Sequence, residues 1–96
     1  MNKTLEFRGD MVIVAAPQQI SADLTGEAAI LNLLSGKYYG LKAVGARIWE
    51  LIQQPCTVAE IQAAILREYE VPVDQCARDL EALLRQLAEA RLIEVR

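Results

Sequence analysis

The segment LNLLSGKYYGL, residues 31–41, decides the fold because it joins two strand-forming stretches through a tight turn. Residues 27–33 and residues 37–41 are the predicted strands, since aliphatic and aromatic side chains dominate them. The connecting residues 34–36 end in Gly36, which accepts the left-handed conformation that closes a three-residue loop. An antiparallel hairpin is therefore predicted here.

A three-residue loop also implies a register, in which Leu33 faces Lys37 and Leu31 faces Tyr39. Because successive side chains of a strand point to opposite faces, this register gives the hairpin an inner and an outer face. The inner face, which is expected to meet the helices, carries Leu31, Leu33, Tyr39 and Leu41. The outer face carries Ile30, Asn32, Tyr38 and Gly40.

The remaining elements follow from apolar periodicity and from breaker residues. Residues 11–15 form a predicted first strand, paired with the strand at 27–33, and residues 18–26 form a polar loop. Three helices are predicted. The first covers residues 43–53, the second runs from the capping box of Thr57 and Glu60 to the break at Pro72, and the third covers residues 73–90. This order predicts an α+β domain, with a three-stranded antiparallel sheet followed by three helices packed on one face.

Length and composition favour one globular domain over residues 1–96, in which residues 1–10 are expected to be flexible. Hydrophobic residues make up 53% of the chain and charged residues 24%, which is typical of a folded protein. The longest apolar run near the start, residues 11–16, is far shorter than the roughly 20 residues that cross a bilayer. A cytoplasmic location without membrane contact is expected.

Charge and residue types argue against several classes of function. The net charge of −3 disfavours nucleic acid as a partner. Two cysteines and no histidine cannot supply the usual four ligands of a zinc site. The glycines do not form a phosphate-binding loop, and no nucleophile has a base beside it in the sequence pattern. The sequence therefore predicts a protein without cofactor, metal or catalytic activity.

The predicted strand at residues 37–41 is an edge of the sheet, with two tyrosines and a single charge. Exposed edges offer unpaired backbone groups, and proteins usually protect them with charges or proline. A weakly protected edge can accept an extended peptide as an additional strand, while neighbouring side chains select the peptide. Peptide binding at this edge is the function that the sequence pattern favours.

Several segments together resemble the PqqD family. They are residues 31–41, VGARIWELI at 44–52, TVAEI at 57–61, EYEV at 68–71, Asp79 with Leu80, and RLI at 91–93. The resemblance covers residues 26–95 and implies a small winged-helix-like domain. Such domains recognise the leader segments of ribosomally made precursor peptides. The GARIW segment is most similar to the stand-alone members of lasso-peptide biosynthesis.

The resemblance implies a peptide chaperone, or recognition element, that hands the precursor to a maturation enzyme such as a leader peptidase. In this family the leader adds a strand in the groove between the third predicted strand and the third helix. Carried onto this sequence, the strand positions are Lys37, Tyr38, Tyr39, Gly40 and Leu41. The helix positions are Cys76, Asp79, Leu80 and Leu83.

Two positions depart from the family pattern: Lys42 and Pro72 stand where relatives often carry a helix-capping residue. The first and third helices are therefore expected to begin without a side-chain cap. Two alternatives to leader binding stay open. One is a winged-helix regulator that binds DNA, and the other is a scaffold subunit that self-associates, for example as a weak homodimer, through the same edge or through the face of the third helix.

Overall fold

A computed structural model describes residues 7–96, which form six strands and three helices. The strands are β1 Val12–Ala15, β2 Gln19–Leu24, β3 Glu27–Asn32, β4 Tyr38–Lys42, β5 Cys56–Thr57 and β6 Ile93–Val95. The helices are α1 Val44–Leu51, α2 Val58–Glu68 and α3 Val73–Glu89. The α+β prediction is confirmed, with an antiparallel three-stranded sheet followed along the chain by three helices.

The composition of that sheet differs from the prediction. Its order is β2-β3-β4, and β1 instead lies between β5 and β6 in a second three-stranded sheet. The loop predicted at residues 18–26 contains β2. Its apolar residues Ile20 and Leu24 are exposed in the structure, so β2 does not bury the apolar face on which strand prediction relies. The predicted pairing of the first strand with residues 27–33 is wrong, because β5 and β6 occupy both edges of β1.

The predicted hairpin register is also wrong, by one residue. Tyr39 pairs with Ile30 and not with Leu31, because the turn contains residues 33–36 and Leu33 belongs to it. The turn starts early because Asn32 Oδ1 accepts hydrogen bonds from the Leu34 and Ser35 amides, at 2.8 and 3.1 Å. Gly36 adopts the expected left-handed conformation, with φ 75°.

A one-residue shift exchanges the two faces of β3 and leaves those of β4 unchanged. The inner face of β3 carries Ala28, Ile30 and Asn32, all buried, whereas Leu33 is exposed at the turn. Tyr39 and Leu41 pack against the core as predicted, and Tyr38 lies on the outer face. The edge strand therefore presents the expected side chains even though its neighbour was assigned the wrong face.

The helices bury one continuous core against both sheets. Trp49 of α1 and Cys76 of α3 belong to this core. Its fully buried members include Ile13, Ile30, Ile52, Ile61 and Leu84. The capping box predicted for α2 is present, since Thr57 Oγ1 accepts from the Glu60 amide and Glu60 accepts from the Thr57 amide. Thr57 also belongs to β5, so the connection between α1 and α2 lies beside β1, with which β5 pairs.

Residues 7–10 are attached to the rest of the fold. Phe7 packs against the core, and the Gly9 carbonyl accepts a hydrogen bond of 3.0 Å from the Ala59 amide. Residues 7–10 are thereby held against α2. The expected flexibility of residues 1–6 lies outside the described residues.

Helix α1 begins at an unusual backbone conformation. Ala43, its N-cap residue, has φ 51° and ψ −120° and makes no side-chain cap hydrogen bond, and Pro72 provides none for α3 either. The missing side-chain cap is as expected at Pro72, whereas for α1 the N-cap residue is Ala43, one position after the predicted Lys42. A residue with a Cβ is strained at such positive φ, whereas glycine is not.

We expect Ala43→Gly to raise the free energy of unfolding by about 0.5–1 kcal/mol, because relief of strain exceeds the added entropy of the unfolded chain. Urea denaturation measures the change. Ala63→Gly, at an exposed position inside α2, is the matched control and should lower stability by about 1 kcal/mol. A loss of similar size in both variants would contradict strain at Ala43.

Candidate peptide-binding site

The outer border of β4 has no backbone partner in the part of the chain that the structure describes. The Asn32 amide donates to the Lys37 carbonyl and the Ala43 amide to the Gly26 carbonyl, each at 2.9 Å. In an antiparallel ladder, hydrogen-bonded and non-hydrogen-bonded pairs alternate, so Tyr39 and Leu41 bond to β3. Tyr38, Gly40 and Lys42 then direct their N–H and C=O groups outward, and within residues 7–96 no other backbone segment bonds to them.

A cavity of about 430 Å³ lies between this border and the second half of α3. Its β4 side is formed by Tyr39, Gly40 and Leu41. Its α3 side is formed by Leu83, Gln86, Leu87, Glu89 and Ala90. An apolar floor with a polar rim suits the side chains of a peptide strand that is paired with β4.

A second cavity, of about 250 Å³, continues along the first half of α3, and we call the two cavities together the α3 trough. Its lining is almost wholly apolar and comes from all three helices and the α2–α3 connection: Val44, Gly45, Ile48, Ile65, Val71, Cys76, Asp79, Leu80 and Leu83. Leu83 lines both cavities. A Cβ added at Gly45 would lie 3.6 Å from Leu41 Cβ and 3.8 Å from Leu83 Cδ2, so β4 and α3 converge at this glycine.

The structure brings together most of the predicted site. Tyr39, Gly40 and Leu41 meet Leu83 in the first cavity, and Cys76, Asp79 and Leu80 join Leu83 in the second. Lys37 and Tyr38 line neither cavity: Lys37 lies at the end of the turn, and the Tyr38 side chain is 76% exposed on the outer face. Their expected contribution is reduced to flanking charge and to the outward backbone groups of Tyr38.

Sequence reasoning missed the lower part of the α3 wall and the whole α1 wall. Gln86, Leu87 and Ala90 follow Leu83 by three, four and seven positions, which is the spacing of one helix face, so a signal for them existed in the sequence. Val44 and Gly45 had no such signal. Their place in the trough depends on how closely α1 approaches α3.

The thiol in the trough behaves as an apolar group. Burial is the main cause that raises the pKa of Cys76, and the nearby charge of Asp79 adds to it. Burial, followed by Glu60, likewise raises the pKa of Cys56 outside the trough. Both thiols are therefore protonated at neutral pH and poor nucleophiles. Within residues 7–96 no group of three Cys, Asp or Glu side chains is placed to hold a metal ion.

Asn32 connects the two walls of the trough. It is buried, and its Nδ2 donates a hydrogen bond of 2.8 Å to the carbonyl of Ala90 at the end of α3. Because its Oδ1 simultaneously holds the turn before β4, one amide fixes the β4 entrance relative to the α3 terminus. Buried polar groups with all partners in place specify a single arrangement of the elements that they join.

Asn32→Asp should lower the free energy of unfolding by about 2–3 kcal/mol at pH 7, because a buried carboxylate would then face the Ala90 carbonyl. Burial raises the folded-state pKa of that carboxyl above its unfolded value of about 3.9. The loss of stability is therefore complete above the folded-state pKa and disappears as the pH falls to the unfolded value. Urea denaturation of variant and wild type at pH 7 and pH 4 measures this. Asn32→Ala, which cannot titrate, should show a loss that is equal at both pH values; equal losses for Asn32→Asp would contradict the assigned contact.

Comparison with known proteins identifies the family. The family model described as coenzyme PQQ synthesis protein D (PqqD) matches residues 27–93, so the chain belongs to the PqqD family. The matched segment begins with β3 and ends in β6. No curated protein matches the chain. Within residues 7–96 no helix has the length and apolar character needed to span a membrane.

Two solved structures are similar to this chain. One is described as TbiB1 in complex with the TbiA(beta) leader peptide; it is 40% identical, with a TM-score of 0.80 over 84% of this chain and 94% of the other. The second is described as lasso peptide synthetase B1 complexed with the leader peptide, with a TM-score of 0.75 over 85% and 96% of the two chains. Its identity is 24%, so it supports the fold alone.

Proposed function

We propose that this protein is a non-catalytic adaptor that binds the leader segment of a ribosomally made precursor peptide and presents it to a separate maturation enzyme. The observation that carries this proposal is the open border of β4 beside the α3 trough. The 40% identity to TbiB1, whose structure contains a leader peptide, supports the choice of ligand. The enzyme that we expect to receive the bound precursor is a leader peptidase, as in lasso-peptide pathways.

In the proposed complex the leader extends the sheet as a fourth strand next to β4. Its backbone bonds to the outward groups of Tyr38, Gly40 and Lys42. Every second leader side chain then points into the trough, where the first cavity takes one apolar side chain and the second cavity takes another beyond Leu83. The alternate side chains face outward, on the side of Tyr38.

The dimensions of α3 limit the length of the bound segment. Its 17 residues span about 25 Å, which corresponds to roughly eight residues of extended peptide. A segment of that length, held by a few buried side chains, would bind with a Kd near micromolar, about −8 kcal/mol. Lys37 precedes β4 and Lys42 is its last residue, so an acidic residue at either end of the leader would be favoured.

Hydrogen exchange of individual amides tests this mode of binding. With the leader of a neighbouring precursor gene, or the TbiA(beta) leader as a probe, at 100 times Kd, exchange at Gly40 should slow by up to about 100-fold. The Tyr39 and Leu41 amides, which already bond to β3, should change much less. A scrambled leader serves as the control. Protection that appears elsewhere and spares Tyr38, Gly40 and Lys42 would refute strand addition at β4.

A further inference from the structure

The sheet has a second open border, on β2. Among the described residues β2 forms one ladder, with β3, and the Leu33 amide donates to the Gln18 carbonyl at 3.1 Å. Alternation from this bonded pair makes Ile20, Ala22 and Leu24 the residues that bond to β3. Gln19, Ser21 and Asp23 therefore direct their N–H and C=O groups outward, and no other backbone segment in residues 7–96 bonds to them.

A trough lies beside this border, between β2 and α1, and we call it the α1 trough. It consists of two cavities of about 230 and 370 Å³, and Asp23, Ala46 and Glu50 line both of them. The smaller cavity is also lined by Ser21, Ala28, Trp49 and Gln53. The sheet thus has an open strand next to a helix-lined trough at each of its two edges.

Two buried polar atoms on this side have no hydrogen-bond partner within residues 7–96. Trp49, a wall of the smaller cavity, is 3% exposed, and its Nε1–H has no acceptor among these residues. The Oε1 atom of Gln19, on β2, is likewise buried, with no donor in the described part of the chain. Buried groups of this kind carry a free-energy cost unless a ligand or water satisfies them. A side chain that enters the smaller cavity with a hydroxyl or amide group would offer the acceptor that the indole lacks.

The charge of the α1 trough is negative. Arg47 is bound to Glu68 through a paired contact, Nε–Oε1 2.8 Å and Nη2–Oε2 2.9 Å, and also to Glu50. Asp23 has no ion pair within residues 7–96. A cationic side chain is therefore the complement of this trough. A second copy of the chain, paired with the first along β2, would supply no cation and would place two negatively charged troughs side by side, which repulsion disfavours.

We infer that the β2 border is a second strand-addition site, which binds an extended segment of another protein with lysine or arginine and a hydrogen-bonding side chain facing α1. The opposite face of that segment is apolar, because Ile20 and Leu24 are 60% and 54% exposed on the outer face of β2. A leader on β4 and this segment on β2 would lie at opposite edges of one sheet and can be bound together.

The single tryptophan provides a direct probe, since its indole N–H gives one isolated resonance in a nitrogen-15 correlation spectrum. The ligand for the test is a capped eight-residue peptide, Lys-Val-Thr-Val repeated twice, which places lysine and threonine on one face and valine on the other. This peptide should shift the indole resonance and the amides of Ser21 and Asp23. The same peptide with glutamate in place of lysine should not.

Three variants complete the test. Ser21→Pro removes an outward N–H without removing a β2–β3 bond, so it should abolish the shifts, whereas Gly40→Pro should leave them unchanged. Asp23→Asn should weaken lysine-peptide binding about two- to fivefold. An unshifted indole at millimolar peptide, equal shifts with the glutamate peptide, or β2 shifts that depend on protein concentration alone would each overturn the inference. Leader binding is followed separately at the Gly40 amide, so the two proposals can fail independently.

Discussion

Gly40→Pro is expected to abolish leader binding while the protein stays folded. The Gly40 amide belongs to the outward set, so proline removes a hydrogen bond to the leader and none to β3. The proline ring also occupies the space through which the leader backbone approaches. An unsatisfied carbonyl on the leader, together with this obstruction, should weaken binding at least about 100-fold, or roughly 2.7 kcal/mol.

Isothermal titration calorimetry with the leader measures the loss, and urea denaturation checks that the variant remains folded. Proline is tolerated at an edge strand when its missing N–H faces solvent, so stability should change by less than about 1 kcal/mol. Ser21→Pro is the matched control, because it makes the same change at the other edge of the same sheet. If Gly40→Pro is folded and binds the leader as wild type does, strand addition at β4 is excluded.

The fold class could be predicted from the sequence because the helix signals and the hairpin turn are local. Thr57 with Glu60 marked the start of α2, and Gly36 marked a left-handed turn residue. The register was not predicted, because Asn32 begins the turn through its Oδ1 and is held on the inner face by its Nδ2, which donates to Ala90, 58 residues away along the chain. A long-range contact made by a buried polar residue leaves no periodic pattern in the sequence. Asn32 was therefore assigned to the outer face.

Strand β2 was missed for a different reason. Its residues alternate strictly, with Ile20, Ala22 and Leu24 on one face, but that apolar face lies in solvent. Strand prediction assumes that the apolar face is buried, and the serine and aspartate in between favoured a loop. The same feature that hid β2 from sequence analysis, an exposed apolar face beside a polar trough, is what makes it a candidate for binding a second segment.

The position of the proposed contact residues in the fold could be predicted more accurately for β4 than for α3. Strand addition uses backbone groups, so the identity of the strand matters more than its register. For β4, the faces of Tyr39 and Leu41 were right even with the wrong pairing partner. On α3 the predicted residues line the cavities, but the extent of the cavities along the helix depends on where β4 and α1 approach it.

Leu83→Asp should reduce leader binding by more than about 100-fold, for a reason independent of the backbone. Leu83 is the residue that the two cavities of the α3 trough share, so a leader side chain in either cavity would contact it. A carboxylate there must lose its hydration when the leader binds, and a buried unpaired charge costs several kcal/mol. Leu83 is only half-buried in the free protein, so the folded state tolerates the change better than the complex does.

Ala82→Asp is the control, since residue 82 is the exposed neighbour on the same helix and lines neither cavity of the α3 trough. Both variants add one negative charge and one residue of low helix propensity to α3. Any effect of net charge on an acidic leader should therefore be common to both, and the difference between them isolates the trough. Leu83→Ala should fall between wild type and Leu83→Asp, because it removes apolar contact without adding charge. If Ala82→Asp and Leu83→Asp weaken leader binding equally in calorimetry, then charge alone explains the loss, and the leader does not enter the α3 trough.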